Sequence, residues 1–200
     1  MQLVLATNNQ DKITEIRHAL EGLPVTILIS SDFPTFPDPH ESGTNLKENA
    51  ILKAREICTF TGLPSLADDT GLEVDALGGA PGVYSSRFAG DNATYRDNYE
   101  KLLRELKGVP PEKRTARFRC VIAIAWTPNE IQTVDGLAEG VITEDIAGDN
   151  GFGYDPVFYY PPLHKRFSEM TVAEKNQVSH RGKAVRAAKE LIAARIKSNN

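Results

Sequence analysis

The chain opens on a short apolar run, Gln2 to Ala6, closed by polar residues, and such a run reads as a buried strand. Thr7 to Asp11 is a polar loop. Ile13, Ile16, His18, Ala19 and Leu20 then mark one side of a helix from about Lys12 to Glu21, with Asp11 as its N-cap. Val25 to Ile29 predicts a second strand, after which Pro34, Pro37 and Pro39 force a loop reaching Gly43. Leu46, Ala50, Ala54, Ile57 and Cys58 recur at three-to-four spacing and predict a helix over Asn45 to Thr61, stopped by Gly62-Leu63-Pro64. Ser65 to Asp68 is a short strand, Leu72 to Leu77 another, and Gly78 to Gly82 a turn. Thr94 caps a helix that points Tyr99, Leu102, Leu103 and Leu106 inward and ends near Lys107, before Gly108 and Pro110-Pro111.

The period then changes. Phe118, Cys120, Ile122 and Ile124 alternate, which predicts a long strand from Thr115 to Trp126. Pro128-Asn129 turns it back through Ile131 to Leu137, and Glu139 to Thr143 extends the sheet. Pro156 to Tyr160 is a further strand. From Thr171 the pattern is helical, broken near Ser179-His180, and Ala184, Val185, Ala188, Leu191 and Ile192 line one side of the last helix. Helices mixed with strands and a central hairpin predict an α/β or α+β domain with a mixed, partly antiparallel sheet. With no repeat and no linker, residues 1–200 are expected to form one domain.

Composition narrows the function. At 200 residues and 40% hydrophobic content, the chain can bury one good core, whole or split into two lobes. A net charge of -4 argues against a nucleic-acid surface, and an anionic small molecule would need cations gathered locally. Cys58 and Cys120 lie in apolar segments away from other cysteines and histidines. They read as buried free thiols in a reducing cytoplasm. Neither a basic-then-apolar leader nor an apolar run near the roughly 18 to 20 residues of a membrane helix is present.

Four polar segments sit on loops beside strand ends, where rigid scaffolds carry function. In Ala6 to Lys12 a strand runs into a polar loop and a helix start, whose amides favour anions beside the Lys12 charge. A plain capped turn fits equally. In Leu66 to Gly71 a strand ends on Asp68 and Asp69, of which only one can face a given ligand. Paired acids suit a hard cation such as magnesium; an aspartate-rich turn is the plainer reading. Three glycines in Gly148 to Pro156 permit close backbone approach, and Phe152 or Tyr154 could stack on a base. The same glycines fit a simple turn. Lys175 with Ser179-His180-Arg181-Gly182 places cations at a helix break, or marks a mere helix junction. Lys53, by its position alone, reads as a solvated helix charge. No GxxxxGK[ST], GxGxxG, DxDxT or GxSxG segment occurs.

Taken in order, LVLATNNQDK, ENAILKAR, LADDTGLEVDALGGAPGVYSSRFAG, ARFRCVIA, GFGYDPVF and SHRGKA resemble the inosine triphosphate pyrophosphatase family, also called dITP/XTP pyrophosphatases. The resemblance covers essentially the whole chain. It implies an α/β fold with a mixed central sheet flanked by helices, two lobes around a substrate cleft, and a cytoplasmic homodimer. It also implies magnesium-dependent hydrolysis of deaminated purine nucleoside triphosphates by water attack at the α-phosphorus, with neither nucleic acid nor membrane as partner. Carried over by position, Thr7, Asn8, Asn9, Gln10, Asp11 and Lys12 hold the triphosphate. Asp69 is the catalytic carboxylate and a metal ligand, Glu41 a second metal ligand, and Lys53 a catalytic phosphate lysine. Thr70, Phe152, Gly153, Tyr154, Asp155, Lys175, His180 and Arg181 fall at nucleotide-contacting positions. Asn8 departs from an expected glycine, which asparagine could replace because it tolerates positive φ. Two rival readings are a pyrophosphatase of modified pyrimidine nucleotides and a non-catalytic nucleotide-binding regulator. The paired acids argue against the regulator, because carboxylates beside a polyanion make sense mainly with a metal.

Overall fold

A computed structural model describes residues 1–39 and 41–198 of the protein. Strand β1 (Gln2–Leu5) leads into helix α1 (Gln10–Leu20), which begins earlier than the apolar spacing suggests. Asn9 rather than Asp11 is its N-cap. The Asn9 side-chain oxygen accepts from the backbone N–H groups of Asp11 and Lys12 at 3.0 and 3.1 Å. Strand β2 (Thr26–Leu28) and helix α2 (Leu46–Thr61) follow, with Asn45 capping α2 and Gly62 closing it at φ 68°.

Strand β3 (Ser65–Val74) is continuous where the sequence suggested two short strands, so the aspartate-rich turn at Asp69-Thr70-Gly71 is not formed. The short β4 (Pro81–Gly82) pairs with it. Helix α3 (Tyr95–Glu105) has the expected Thr94 cap, completed by Asp97 returning to the Thr94 backbone. β5 (Thr115–Thr127) and β6 (Glu130–Ile142) form the hairpin, and β6 runs unbroken through the gap expected near Ala138. A tight turn over Asp155–Val157 delays β7 (Phe158–Tyr160), and β8 (Lys165–Arg166) was not foreseen. Helices α4 (Val172–Val178) and α5 (His180–Ser198) break at Ser179, as read.

The strand order is β2-β1-β3-β5-β6-β7-β8, with β4 beside β3. β1 pairs in parallel with β2 and β3, while β3–β4, β6–β7 and β7–β8 are antiparallel. The parallel strands need crossover helices, which α1 and α2 supply. Leu3, Val4 and Leu5 are all fully buried, which is why β1 reads as an unbroken apolar run instead of an alternating one.

The chain divides into two compact units. The first gathers the described residues of Met1–Asp69, Cys120–Gly136 and Arg181–Asn200; the second comprises Thr70–Arg119 and Leu137–His180. The first unit's core packs Leu3, Leu5 and Leu66 with Ile13 and Ile16 of α1, Ile122 and Ile124 of β5, and Val185 and Ile192 of α5. The second unit's core is aromatic: Phe118, Phe158 and Phe167 pack with Leu102, Leu106, Val157 and Met170. Phe118 and Phe158 have ring centroids 4.7 Å apart. Both cysteines are buried, and neither is in a disulfide. No described helix is long and apolar enough to cross a membrane.

Candidate active site

In the first unit, β3 presents Asp68 and Asp69. Neighbouring strand side chains face opposite ways, and the two carboxylates have different partners. Asp68 Oδ1 lies 3.1 Å from Lys12 Nζ, and Asp68 Oδ2 accepts from Arg181 Nε at 3.1 Å. Arg181 Nη1 also donates to Glu15 of α1. Asp69 Oδ1 accepts from Lys53 Nζ at 2.7 Å, and Asp69 Oδ2 from Asn49 Nδ2 at 3.3 Å. The same Lys53 ammonium donates to Glu41 Oε1 at 2.9 Å. Lys53 is only 7% exposed, which overturns its reading as a solvated helix charge. Burial of an ammonium is tolerated here because two carboxylates share it.

These surroundings push the two aspartates apart. Burial alone would raise the Asp68 pKa, but Lys12, Arg181 and Lys53 outweigh it and hold the carboxyl well below its ordinary range. For Asp69 burial dominates, Glu41 adds like-charge repulsion, and Lys53, shared with Glu41, does not compensate; the pKa is raised. Burial works against the Lys53 charge, yet Asp69, Glu41 and Asp68 hold its pKa above the usual lysine range.

The loop before α1 is organised by its own side chains. Thr7 Oγ1 accepts from the Asn9 amide at 3.2 Å, and the Asn9 side chain takes the Asp11 and Lys12 amides. Asn8 does not adopt a positive φ; among the described residues His164 is the one non-glycine that does. The expected need for a left-handed residue at Asn8 is therefore not a feature of this loop. Asn8, Gln10 and Asp11 are exposed, while Thr7, Asn9 and Lys12 are half-buried.

In the second unit, the Gly148 to Pro156 segment folds around Asp155. Its Oδ2 accepts from the Phe152 amide at 2.8 Å and from Lys175 Nζ at 2.6 Å. Gly151 sits at φ 76°, and a Cβ there would stand 2.1 Å from Asp155 Oδ2, so only glycine lets the carboxylate lie against the loop. Gly153 also has a positive φ, 63°. The Lys175 ammonium lies 4.7 Å from the Phe152 ring centroid, and Tyr95 lies against that ring at 5.8 Å. Tyr154 is buried in the core and donates its hydroxyl to the Ser85 carbonyl at 2.8 Å. Burial, with Glu105, raises its pKa. Of the two aromatics, Phe152 is therefore the one with surface to offer a base. His180 is buried, its ring stacked on Phe118 at 4.5 Å, and Thr70 is half-buried on β3.

Four acids, two lysines and an arginine thus gather in the first unit, all but Glu15 at residues the sequence singled out. Residues 3–191 match the Ham1 family. The chain belongs to the Ham1 family. It is similar to a dITP/XTP pyrophosphatase of Desulforamulus reducens, 50% identical over 192 residues that cover 96% of each chain. Its likeness to the dITP/XTP pyrophosphatase of Geobacter sulfurreducens is 48% over 189 residues, 94% of this chain and 95% of the relative. A HAM1 protein from Coxiella burnetii superposes with a TM-score of 0.89 at 40% identity, covering 97% of this chain and 99% of that one. The Staphylococcus aureus Ham1 protein gives 0.86 at 36%, covering 98% and 100%. The mixed α/β sheet flanked by helices is the Ham1 fold.

This Ham1 chain has a donor set suited to magnesium. Glu41 and Asp69 already direct carboxylate oxygens at one cation, the Lys53 ammonium. No group of three or more His, Cys, Asp or Glu side chains that could cage a metal exists among the described residues. One or two carboxylates, completed by water and phosphate oxygens, is the usual magnesium arrangement. Two residues of the Ham1 cluster were missed from sequence, Glu15 and Asn49. Asn49 falls in the three-to-four register of Leu46, Ala50 and Ala54, as does Lys53, so polar residues on an apolar stripe were the available signal. Glu15 sits beside Ile16 on the buried side of α1 and carried the same signal more weakly.

Proposed function

We propose that this Ham1 chain hydrolyses deaminated purine nucleoside triphosphates (dITP, ITP, XTP and dXTP) to the monophosphate and pyrophosphate, so clearing them from the nucleotide pool. The observation that carries the reading is the Lys53 ammonium held between Asp69 and Glu41 in a buried cluster of the first unit. The activity follows the names of the relatives reported above, which match nearly the full length of the chain.

Asp69 and Glu41 would hold a magnesium ion, which would supply neutralisation of charge on the phosphate oxygens. Lys12 and Lys53 provide fixed positive charge for the polyphosphate, which the net acidic chain otherwise lacks. Asp69 orients the attacking water and takes its proton. Asp68 is clamped between Lys12 and Arg181 and stays an anion, so the two acids divide the work by environment. Water attacks the α-phosphorus, the bond to the β-phosphate oxygen breaks, and pyrophosphate leaves. Thr7 to Lys12 receive the triphosphate, with Thr70 and Lys175 as further nucleotide contacts. In the second unit, Phe152 offers a stacking face and Gly153, Tyr154 and Asp155 shape the loop that carries it. His180 and Arg181 complete the base-contact assignment by position. Donors that meet the 6-oxo group of a purine would be left unpaired by adenine, a mismatch worth roughly 10⁴-fold or more. The proposal extends to one domain over residues 1–200 acting as a cytoplasmic homodimer.

Hydrolysis of dITP in ¹⁸O-labelled water tests the reading. Label in the monophosphate with pyrophosphate as co-product, dependent on added magnesium, is expected. Release of orthophosphate, or equal kcat/KM for dITP and dATP, refutes it.

A further inference from the structure

The contacts of α2 assign a role to Asn49, which lies within ENAILKAR but had no role by position. Asn49 and Lys53 stand four residues apart, on one face of the helix. Between them they take both oxygens of Asp69: Lys53 the Oδ1 at 2.7 Å, Asn49 the Oδ2 at 3.3 Å. Each also reaches the same preceding loop. Lys53 donates to Glu41 Oε1, and the Asn49 side-chain oxygen accepts from the Gly43 amide at 2.8 Å. Gly43 is packed so closely that a Cβ there would stand 2.6 Å from Asn49 Oδ1 and 2.7 Å from Glu48 Cβ. Asn49 is 1% exposed, so neither end of its amide competes with bulk water.

An amide has a donor end and an acceptor end, and here each is committed to a different carboxylate-bearing segment. The donor fixes the rotation of the Asp69 carboxylate. The acceptor fixes the loop two residues after Glu41. Lys53 cannot do this alone, because an ammonium is a point charge that follows either acid wherever it moves.

Resting on the pyrophosphatase reading, we propose that Asn49 is the positioning residue that registers Glu41 against Asp69, so that the two acids close on one divalent cation.

Two variants separate the two ends of the amide. Asn49→Asp is isosteric and keeps an acceptor for the Gly43 amide, but removes the donor and sets a like charge against Asp69. Asn49→Ala removes both ends. Misplacement of a reacting group by about 1 Å costs roughly 10²-fold. Both variants should therefore lower kcat for dITP about 10- to 100-fold with KM for dITP within about twofold, and Asn49→Asp should be the worse of the two. The magnesium concentration at half-maximal rate should rise in both.

A second readout needs no turnover: the rise in melting temperature that magnesium gives the substrate-free protein should shrink in both variants. Limited proteolysis in the absence of metal should cut the loop at residues 41–44 faster in Asn49→Ala than in Asn49→Asp. A kcat and a magnesium-induced melting shift in Asn49→Asp equal to the parent's would overturn the proposal, as would equal cleavage of the loop in all three proteins. If the parent itself fails to hydrolyse dITP, the pyrophosphatase reading falls, while the melting shift and the proteolysis still decide the role of Asn49.

Discussion

Replacing Arg181 by methionine removes a guanidinium that joins Asp68 to Glu15. Arg181 is 2% exposed, and Asp68 and Glu15 are 1% and 4% exposed. Methionine matches the volume of the arginine stem and leaves the packing nearly intact, so the perturbation is chiefly electrostatic. Breaking a buried ion pair by deleting one partner costs about 3–5 kcal/mol, because the remaining charge stays desolvated. Two acids lose the guanidinium, but Asp68 keeps Lys12 at 3.1 Å, which argues against simple doubling of that figure. At roughly 2–4 °C per kcal/mol for a chain of this size, the melting temperature should fall by about 6–20 °C at pH 7.

The pH dependence carries a sign. In the parent, Asp68 has a depressed pKa, so its contribution is present above the ordinary carboxylate value of 3.8 and is lost as pH falls below it. In the variant Asp68 faces burial with less compensation and protonates more readily. The gap between parent and variant should thus be widest near neutrality and close as the buffer is acidified. Adding Glu15→Gln to Arg181→Met should restore part of the loss, because the pair is coupled by roughly 0.5–3 kcal/mol. Calorimetry at pH 7, 5 and 4 on the four proteins of this cycle measures all three effects. A variant that melts within about 2 °C of the parent at every pH would show that Arg181 does not hold the two acids.

Asp69→Asn should lower kcat for dITP by roughly 10²- to 10⁴-fold, the scale of a lost proton-transfer group. Its melting temperature should fall as well, because the buried Lys53 ammonium keeps Glu41 but loses its 2.7 Å partner; steady-state rates with calorimetry check both. Lys175→Met leaves Asp155, 2% exposed, with the Phe152 amide but without its 2.6 Å ammonium, and should cost about 3–5 kcal/mol in denaturant titration. An unchanged midpoint would remove that pair from the account. The Tyr154 phenol has a raised pKa, so the folded state resists its ionisation and stability declines once pH climbs past about 10. Absorbance at 295 nm should show a late-titrating phenol, and Tyr154→Phe should abolish that late phase.

How far the sequence could be read depended on whether a signal was local. The β5 alternation and the α2 stripe are set by burial of one face or both, and both elements fall where the pattern puts them. Boundaries failed where side chains decided them. Asn9 captured the start of α1 because its oxygen reaches two amides at once, a choice that apolar spacing does not encode. β3 ran on through Asp69 because the carboxylates found cations elsewhere in the fold, removing the need for a turn.

By itself the sequence determined the periodicities, the mixed α/β class and the loops rich in Asp, Lys and Gly, since each follows from residue type and spacing along the chain. Only the tertiary structure decided which charge meets which. Glu15 and Arg181 are 166 residues apart and Lys53 and Asp69 16 apart, and nothing in spacing ranks those pairs above their alternatives. The physical reason is burial: a charge taken out of water must find its counter-charge in three dimensions. That requirement turns Lys53 from an apparent surface residue into the centre of the acidic cluster.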